Sequence, residues 1–199
     1  MNPTSSKDLL IDVDGVLYPF PELFHGYAQQ QLGRDLPLDL SQWAFYEEWG
    51  LGHDDFVRLL SQGVADHDLW WDDAVYAEVP EALVRLRAAG HRLHLVTARG
   101  LAGDAPAMAA TRHWIAARGF VFDTVNLADD KPSVLDTLGL DPDRCVAVDD
   151  AEHHVQAWLD HGVDAVVLDR WGTYSGTLPG VADLAAFADY ADSLAHVMR

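Results

Sequence analysis

A doubly wound parallel α/β sheet, Rossmann-like and carrying a small helical cap after its first strand, is the fold predicted by three observations. From residue 80 onward, short apolar runs alternate with amphipathic segments. The connections between them are short, as strand–helix–strand units of a parallel sheet require. Several of the apolar runs end in acids or hydroxyls, at the strand ends where such sheets place their chemistry.

The first element is "LLIDVDGVLYPF", residues 9 to 20. A carboxylate inside a buried strand is expensive to desolvate unless it is paired or coordinated, so the strand ends where Asp12 and Asp14 begin. Residues 18–79 then break the rhythm. They are rich in aromatics (Tyr18, Phe20, Phe24, Trp43, Phe45, Tyr46, Trp49, Phe56, Trp70, Trp71), with helical spacing in "HDDFVRLLSQGV" and no strand alternation. They read as a helical cap set between the first two strands, leaving 1–17 and 80–199 as the core domain. Trp43, Trp49, Trp70 and Trp71 read as packing inside the cap.

The core resumes with "PEALVRLRAAG", where Leu83, Leu86 and Ala89 recur at helical intervals before Gly90. "HRLHLVTARG" is a strand entering a loop at Thr97, with His91 and His94 on opposite faces. "TRHWIAARG" closes a helix, "DTVNLA" is a strand, and Lys131 opens the short helix "KPSVLDTLG". "RCVAVDD" is a strand ending in Asp149 and Asp150. The helix "AEHHVQAWLDHG" carries His153 and His154 on its surface, "DAVVLDR" is another strand, and a loop from Trp171 leads to a terminal helix.

Composition narrows the partners. With 13 Lys+Arg against 32 Asp+Glu the net charge is −19, which repels duplex nucleic acid and anionic membranes. A phosphate-bearing substrate would need local cations or a metal ion. The lone Cys145 permits no internal disulfide, and its place inside an apolar strand makes it inert. No apolar run is long enough to span a bilayer, and the expectation is a cytoplasmic protein.

The strand ends carry the chemistry. Asp12 and Asp14 lie two apart, and a second acidic pair, Asp149 and Asp150, arrives at the same sheet edge. Carboxylates this close raise one another's pKa unless a cation intervenes. Mg²⁺ suits the site, because it takes a few carboxylates, keeps waters and accepts a phosphate oxygen. With the ion held by Asp12, Asp14, Asp149 and Asp150, a carboxylate oxygen of Asp12 can attack phosphorus. Lys131, the Thr97 hydroxyl and backbone amides after it, from Ala98, hold the transferring phosphoryl group. Asp14 moves the proton to the leaving oxygen and later takes one from water. Arg99 either touches the substrate or forms a salt bridge in its loop.

"DVDGVL", "LHLVTA", Lys131 in "DDKP" and "VAVDD" occur in the order of the four motifs of the haloacid dehalogenase superfamily, which the chain resembles over residues 8–150. The resemblance implies a phosphoaspartate at Asp12, general acid/base work and a backbone metal ligand at Asp14, phosphate binding at Thr97 and Lys131, and a metal carboxylate from Asp149 or Asp150. An acid at position 14 favours phosphatase or phosphomutase chemistry over dehalogenation. More closely, "DVDGVLYPF" and "AEVPEALVRLRAAGHRLHLVTAR" resemble the 5'(3')-deoxyribonucleotidases, in which Phe20 matches an aromatic that stacks on the nucleobase. The stretch from Lys131 to Asp149 is longer than that family's pattern and closer to generic phosphatases. The expected substrate is therefore a small phosphorylated metabolite, a (deoxy)nucleoside monophosphate first and a sugar phosphate second. A non-catalytic binding protein on the same fold is the remaining alternative.

Overall fold

A computed structural model describes residues 6–39 and 45–197. Trp43 lies outside the described residues. Six parallel strands form one sheet: β1 (Asp8–Ile11), β2 (Arg92–Thr97), β3 (Thr124–Leu127), β4 (Cys145–Asp149), β5 (Asp164–Leu168) and β6 (Gly180–Val181), in the order β3-β2-β1-β4-β5-β6. The order reverses between β1 and β4, which lie side by side with Ile11 opposite Val148. A crevice opens at such a reversal, at the carboxyl ends of the strands.

Alternation along β1 divides the interior into two layers. Leu9 and Ile11 join Leu93, Leu95, Val146 and Val148 on one face, under α3 (Val79–Ala88), α4 (Asp104–Arg118) and α7 (Leu184–Val197). Leu10 joins Cys145, Ala147 and Ala165 on the other, against α5 (Ser133–Leu138) and α6 (Glu152–Asp160). Each buried Leu, Ile or Val among these contributes about 1.5–3 kcal/mol on full burial. The apolar run in β1 therefore fixes that strand at the centre, and an acid can follow only where it finds a partner.

Residues between β1 and β2 form α1 (Phe20–Leu32), a 3-10 turn at Phe45–Trp49 and α2 (His53–Ala65), with no strand among the described residues. Phe24, Trp49 and Phe56 pack ring against ring at 5.1–5.9 Å, and the apolar cluster continues from these rings to the sheet without a break. The outgoing and returning chains are tied together where they cross. The Tyr76 N–H donates to the Leu17 carbonyl, and the Trp70 N–H donates to the Tyr18 hydroxyl. Arg170, from the loop after β5, donates to Glu78 at 2.7 Å and to the Val16 carbonyl at 2.9 Å, with its guanidinium 3.6 Å from the centre of the Tyr76 ring.

Three local readings differ from the sequence expectation. Lys131 does not open a helix; it precedes α5, which starts at Ser133 behind Pro132, so its side chain is free to turn back under the strand ends. The tail after β5 supplies the short edge strand β6, too brief to show alternation. Both His153 and His154 border the cavity described below; His153 is exposed as expected, but His154 is half-buried.

Candidate active site

Asp12 directly follows β1, and its N–H still donates to the Val148 carbonyl of β4 at 3.1 Å. The ladder thus holds its backbone while its side chain enters the crevice. There the Lys131 ammonium donates to Asp12 Oδ1 at 2.7 Å and to Asp149 Oδ2 at 2.5 Å. All three side chains are almost wholly buried. The other Asp149 oxygen accepts from the Ala151 N–H at 3.1 Å. One ligand oxygen from each of Asp12, Asp149 and Asp150 lies within 4.8 Å of the other two.

Burial drives the Asp12 carboxyl up to about 7 against the attraction of Lys131, with the neighbouring Asp149 and Asp14 carboxylates adding to the rise. Burial likewise lifts Asp150 well above the usual carboxylate range, helped by Asp12 and Asp149. Burial alone would lower Lys131, yet the two carboxylates it bridges hold its ammonium above the ordinary lysine value. One ammonium therefore serves a cluster with more negative charge than it can neutralise.

The donor set fits a hard divalent cation: three carboxylates, two of them strained toward protonation by their surroundings, converge from two adjacent strands. Gly15 makes the convergence possible. Its φ is +78°, and a Cβ there would stand 1.9 Å from Asp150 Oδ2. Only a residue without a side chain lets the turn after Asp14 approach Asp150 so closely.

Asp12 and Asp14 take different partners. Asp14 leaves the lysine cluster and meets Arg99, which follows β2 in a short 3-10 turn, Arg99–Ala102. Both Asp14 oxygens are engaged, by Nε at 2.8 Å and by Nη2 at 2.7 Å, and Arg99 Nη1 donates to Thr111 of α4 at 3.0 Å. Tyr18 and Trp70 flank the guanidinium, their ring centres 5.2 and 4.5 Å from it. Arg99 thus forms the salt bridge that the sequence offered as one of its two roles, a buried one, and it also borders the cavity described next.

A cavity of about 630 Å³ opens over these groups. Asp12, Asp14, Thr97, Ala98, Arg99, Lys131, Asp149 and Asp150 line its floor, and Phe20 lies on its wall with Phe45, Phe56 and Trp70. Every site residue singled out in the sequence thus borders one cavity. Two contributors were less visible. Trp70 is buried, as its core assignment required, yet also borders the cavity, and it holds a positive φ of 67° that a bulky side chain seldom adopts. His154 is lowered to about 4 by burial and by the Lys131 charge, so it stands in the wall as a neutral imidazole. Neither tryptophan conformation nor histidine burial leaves a mark in sequence spacing.

No family model and no curated protein matches the sequence. Solved structures do match in three dimensions. A putative hydrolase, YfnB, from Bacillus subtilis, bound to magnesium, is 13% identical with a TM-score of 0.65, over 94% of this chain and 98% of that one. β-Phosphoglucomutase from Clostridium difficile is 12% identical with a TM-score of 0.62, over 96% and 97%. A haloacid dehalogenase-like hydrolase from Streptococcus pneumoniae is 16% identical with a TM-score of 0.61, over 91% and 90%. The likeness spans both the sheet and the insert, and it shows that the chain has the haloacid dehalogenase-like α/β fold.

Proposed function

We propose that the protein is a Mg²⁺-dependent phosphomonoester hydrolase that works through a phosphoaspartate on Asp12. The observation that carries this reading is the convergence of Asp12, Asp149 and Asp150 around Lys131 on the floor of one cavity. Asp12, Asp150 and the backbone carbonyl of Asp14 would hold the ion. Asp150 is assigned as the direct carboxylate of its pair because Asp149 already spends one oxygen on Lys131 and the other on Ala151. When bound, the ion supplies positive charge to the phosphoryl oxygens.

With Asp12 Oδ1 on Lys131, Oδ2 is the oxygen that attacks phosphorus. Asp14 turns from Arg99 toward the cavity and takes a proton from solvent; the bond from phosphorus to the alcohol oxygen then breaks, and that oxygen takes the proton from Asp14. In the second half Asp14 takes a proton from water, the water oxygen bonds to phosphorus and the Asp12–phosphorus bond breaks, releasing phosphate. Lys131 and Thr97 border the space where the equatorial oxygens develop charge. α1, the 3-10 turn and α2 act as a cap, with Phe20 and its neighbours excluding water from that space.

The alcohol is read as a nucleoside, with its base on Phe20. The ring of Phe20 is half-exposed at the cavity wall, stacked on Phe24 at 5.4 Å and 6.2 Å from Trp70, so one face is braced while the cavity side stays open. A sugar phosphate is the second reading, favoured by the fold shared with β-phosphoglucomutase. Turnover of deoxy- and ribonucleotides, sugar phosphates and phosphoserine, with Mg²⁺ and with EDTA, tests both. Mg²⁺-dependent release of phosphate from nucleoside monophosphates is expected. A preference for sugar phosphates would replace the nucleoside reading, and no turnover of any ester would remove the hydrolase and leave a binding protein.

A further inference from the structure

The wall that the insert gives to the cavity is apolar throughout: Phe20, Pro21, Phe45, Phe56, Leu60 and Trp70, met from the core side by Leu101. The two cations that border the cavity are both paired with carboxylates before substrate enters. Lys131 serves Asp12 and Asp149, and Arg99 serves Asp14 and Thr111. Facing them are six carboxylates, Asp12, Asp14, Asp149, Asp150, Glu152 and Asp169. A divalent ion on the floor would still leave the lining with more negative than positive charge.

The insert deepens this imbalance. Residues 18–79 hold twelve Asp and Glu against two Arg. Arg34 donates to the Trp49 carbonyl, and Arg58 forms an exposed pair with Asp55 at 3.1 Å; neither borders the cavity. Residues 40–44, which lie outside the described part, contain no basic residue in the sequence. An anionic group on the alcohol would have to shed water against aromatic faces, which are themselves electron-rich, inside a field of like charge. An ammonium group would meet the opposite on every count.

We propose that the cavity selects phosphate monoesters whose alcohol is neutral or cationic and rejects those whose alcohol carries a second anion. This rests on the phosphomonoester reading and deepens it by naming the charge of the substrate's other half. It separates substrates that ring stacking alone would treat alike.

The test uses three benzyl phosphates that differ only at the para position: aminomethyl, hydroxymethyl and carboxylate. In the wild-type protein with Mg²⁺, kcat/KM is expected to fall in that order, with the carboxylate at least about tenfold below the hydroxymethyl ester. Raising the salt concentration should narrow the gap. Leu101→Lys, at a 37% exposed position on the rim, should raise kcat/KM for the carboxylate ester relative to the neutral one. A carboxylate ester cleaved as well as the neutral ester would overturn the proposal, and so would a gap that neither salt nor Leu101→Lys changes. Calorimetric binding of the same three esters to Asp12→Asn should rank them identically without turnover. The expected ranking by Asp12→Asn, together with a wild-type protein that cleaves none of the esters, would sink the hydrolase reading and leave the charge selection standing; equal affinities would sink the selection.

Discussion

Arg99 and Asp14 form a fully matched fork, Nε and Nη2 to the two carboxylate oxygens at 2.8 and 2.7 Å, but the two partners are unequally placed. The Arg99 side chain has no exposure, while that of Asp14 is 21% exposed. If the fork breaks, Asp14 can reach water and Arg99 cannot. Asp14→Ala should therefore destabilise the fold more than Arg99→Met, by about 3–5 kcal/mol against about 1–3, and the double variant should be more stable than Asp14→Ala alone. Urea unfolding of the four proteins checks this, and equal losses from the two single variants would show that Asp14 has no access to solvent.

Removing the nucleophile's charge should separate activity from stability. Asp12→Asn takes one of several crowded carboxylates out of the cluster and leaves Lys131 its bond to Asp149. Turnover should be lost, while the thermal midpoint without metal should stay the same or rise. A fall of several degrees would mean that the Asp12–Lys131 contact outweighs the crowding.

The raised carboxyls predict a metal-linked pH dependence. Asp12 binds its proton more tightly in the folded protein, near 7 against 3.8 when unfolded, and Asp150 is shifted in the same direction. Their protonated forms favour the fold, so stability without metal should decline as pH rises from about 4 to about 7, by up to a few kcal/mol. Mg²⁺ binds the deprotonated cluster, so the rise it gives in thermal midpoint should be small at pH 5 and larger at pH 7.5. Melting curves at both values, with Mg²⁺ and with EDTA, measure it; a Mg²⁺ effect independent of pH would place the ion elsewhere.

Gly15→Ala should act on the metal before it acts on the fold. The new methyl group would overlap the Asp150 carboxylate, and the positive φ adds about 1 kcal/mol of strain. Mg²⁺ affinity should drop about tenfold or more, with a loss of stability of about 1–2 kcal/mol. Isothermal titration with Mg²⁺ reads the first and thermal melting the second.

Much of this architecture was legible in the chain because the cost of burying an acid is steep. β1 stops just before Asp12 and β4 stops at Asp149, where a buried carboxylate needs a partner, and the helix ending before Gly90 follows plain periodicity. Lys131 stood isolated after two acids in "DDKP", which marked it for a task, although the sequence placed it in a helix and not in the loop before one. The fork between Arg99 and Asp14 was not legible, since it depends on β1 and β2 being neighbours and on two rings closing over a guanidinium. Trp70 illustrates the same limit: burial and a place on the cavity wall are compatible in space, while spacing in sequence offers only one reading. The half-buried His154 escaped because one helix face turns toward the crevice only after the strand order is set.

That strand order has a consequence for how the protein comes into being. Asp12 is made long before its neighbour in the sheet, β4, which carries the acids that complete the cluster. Until β4 inserts beside β1, the growing polypeptide holds Asp12 beside an unzipped strand edge, without Asp149 and Asp150, the two carboxylates that complete the cluster. Competence to capture the ion should therefore appear abruptly, as the two halves of the sheet join, and not build up with chain length.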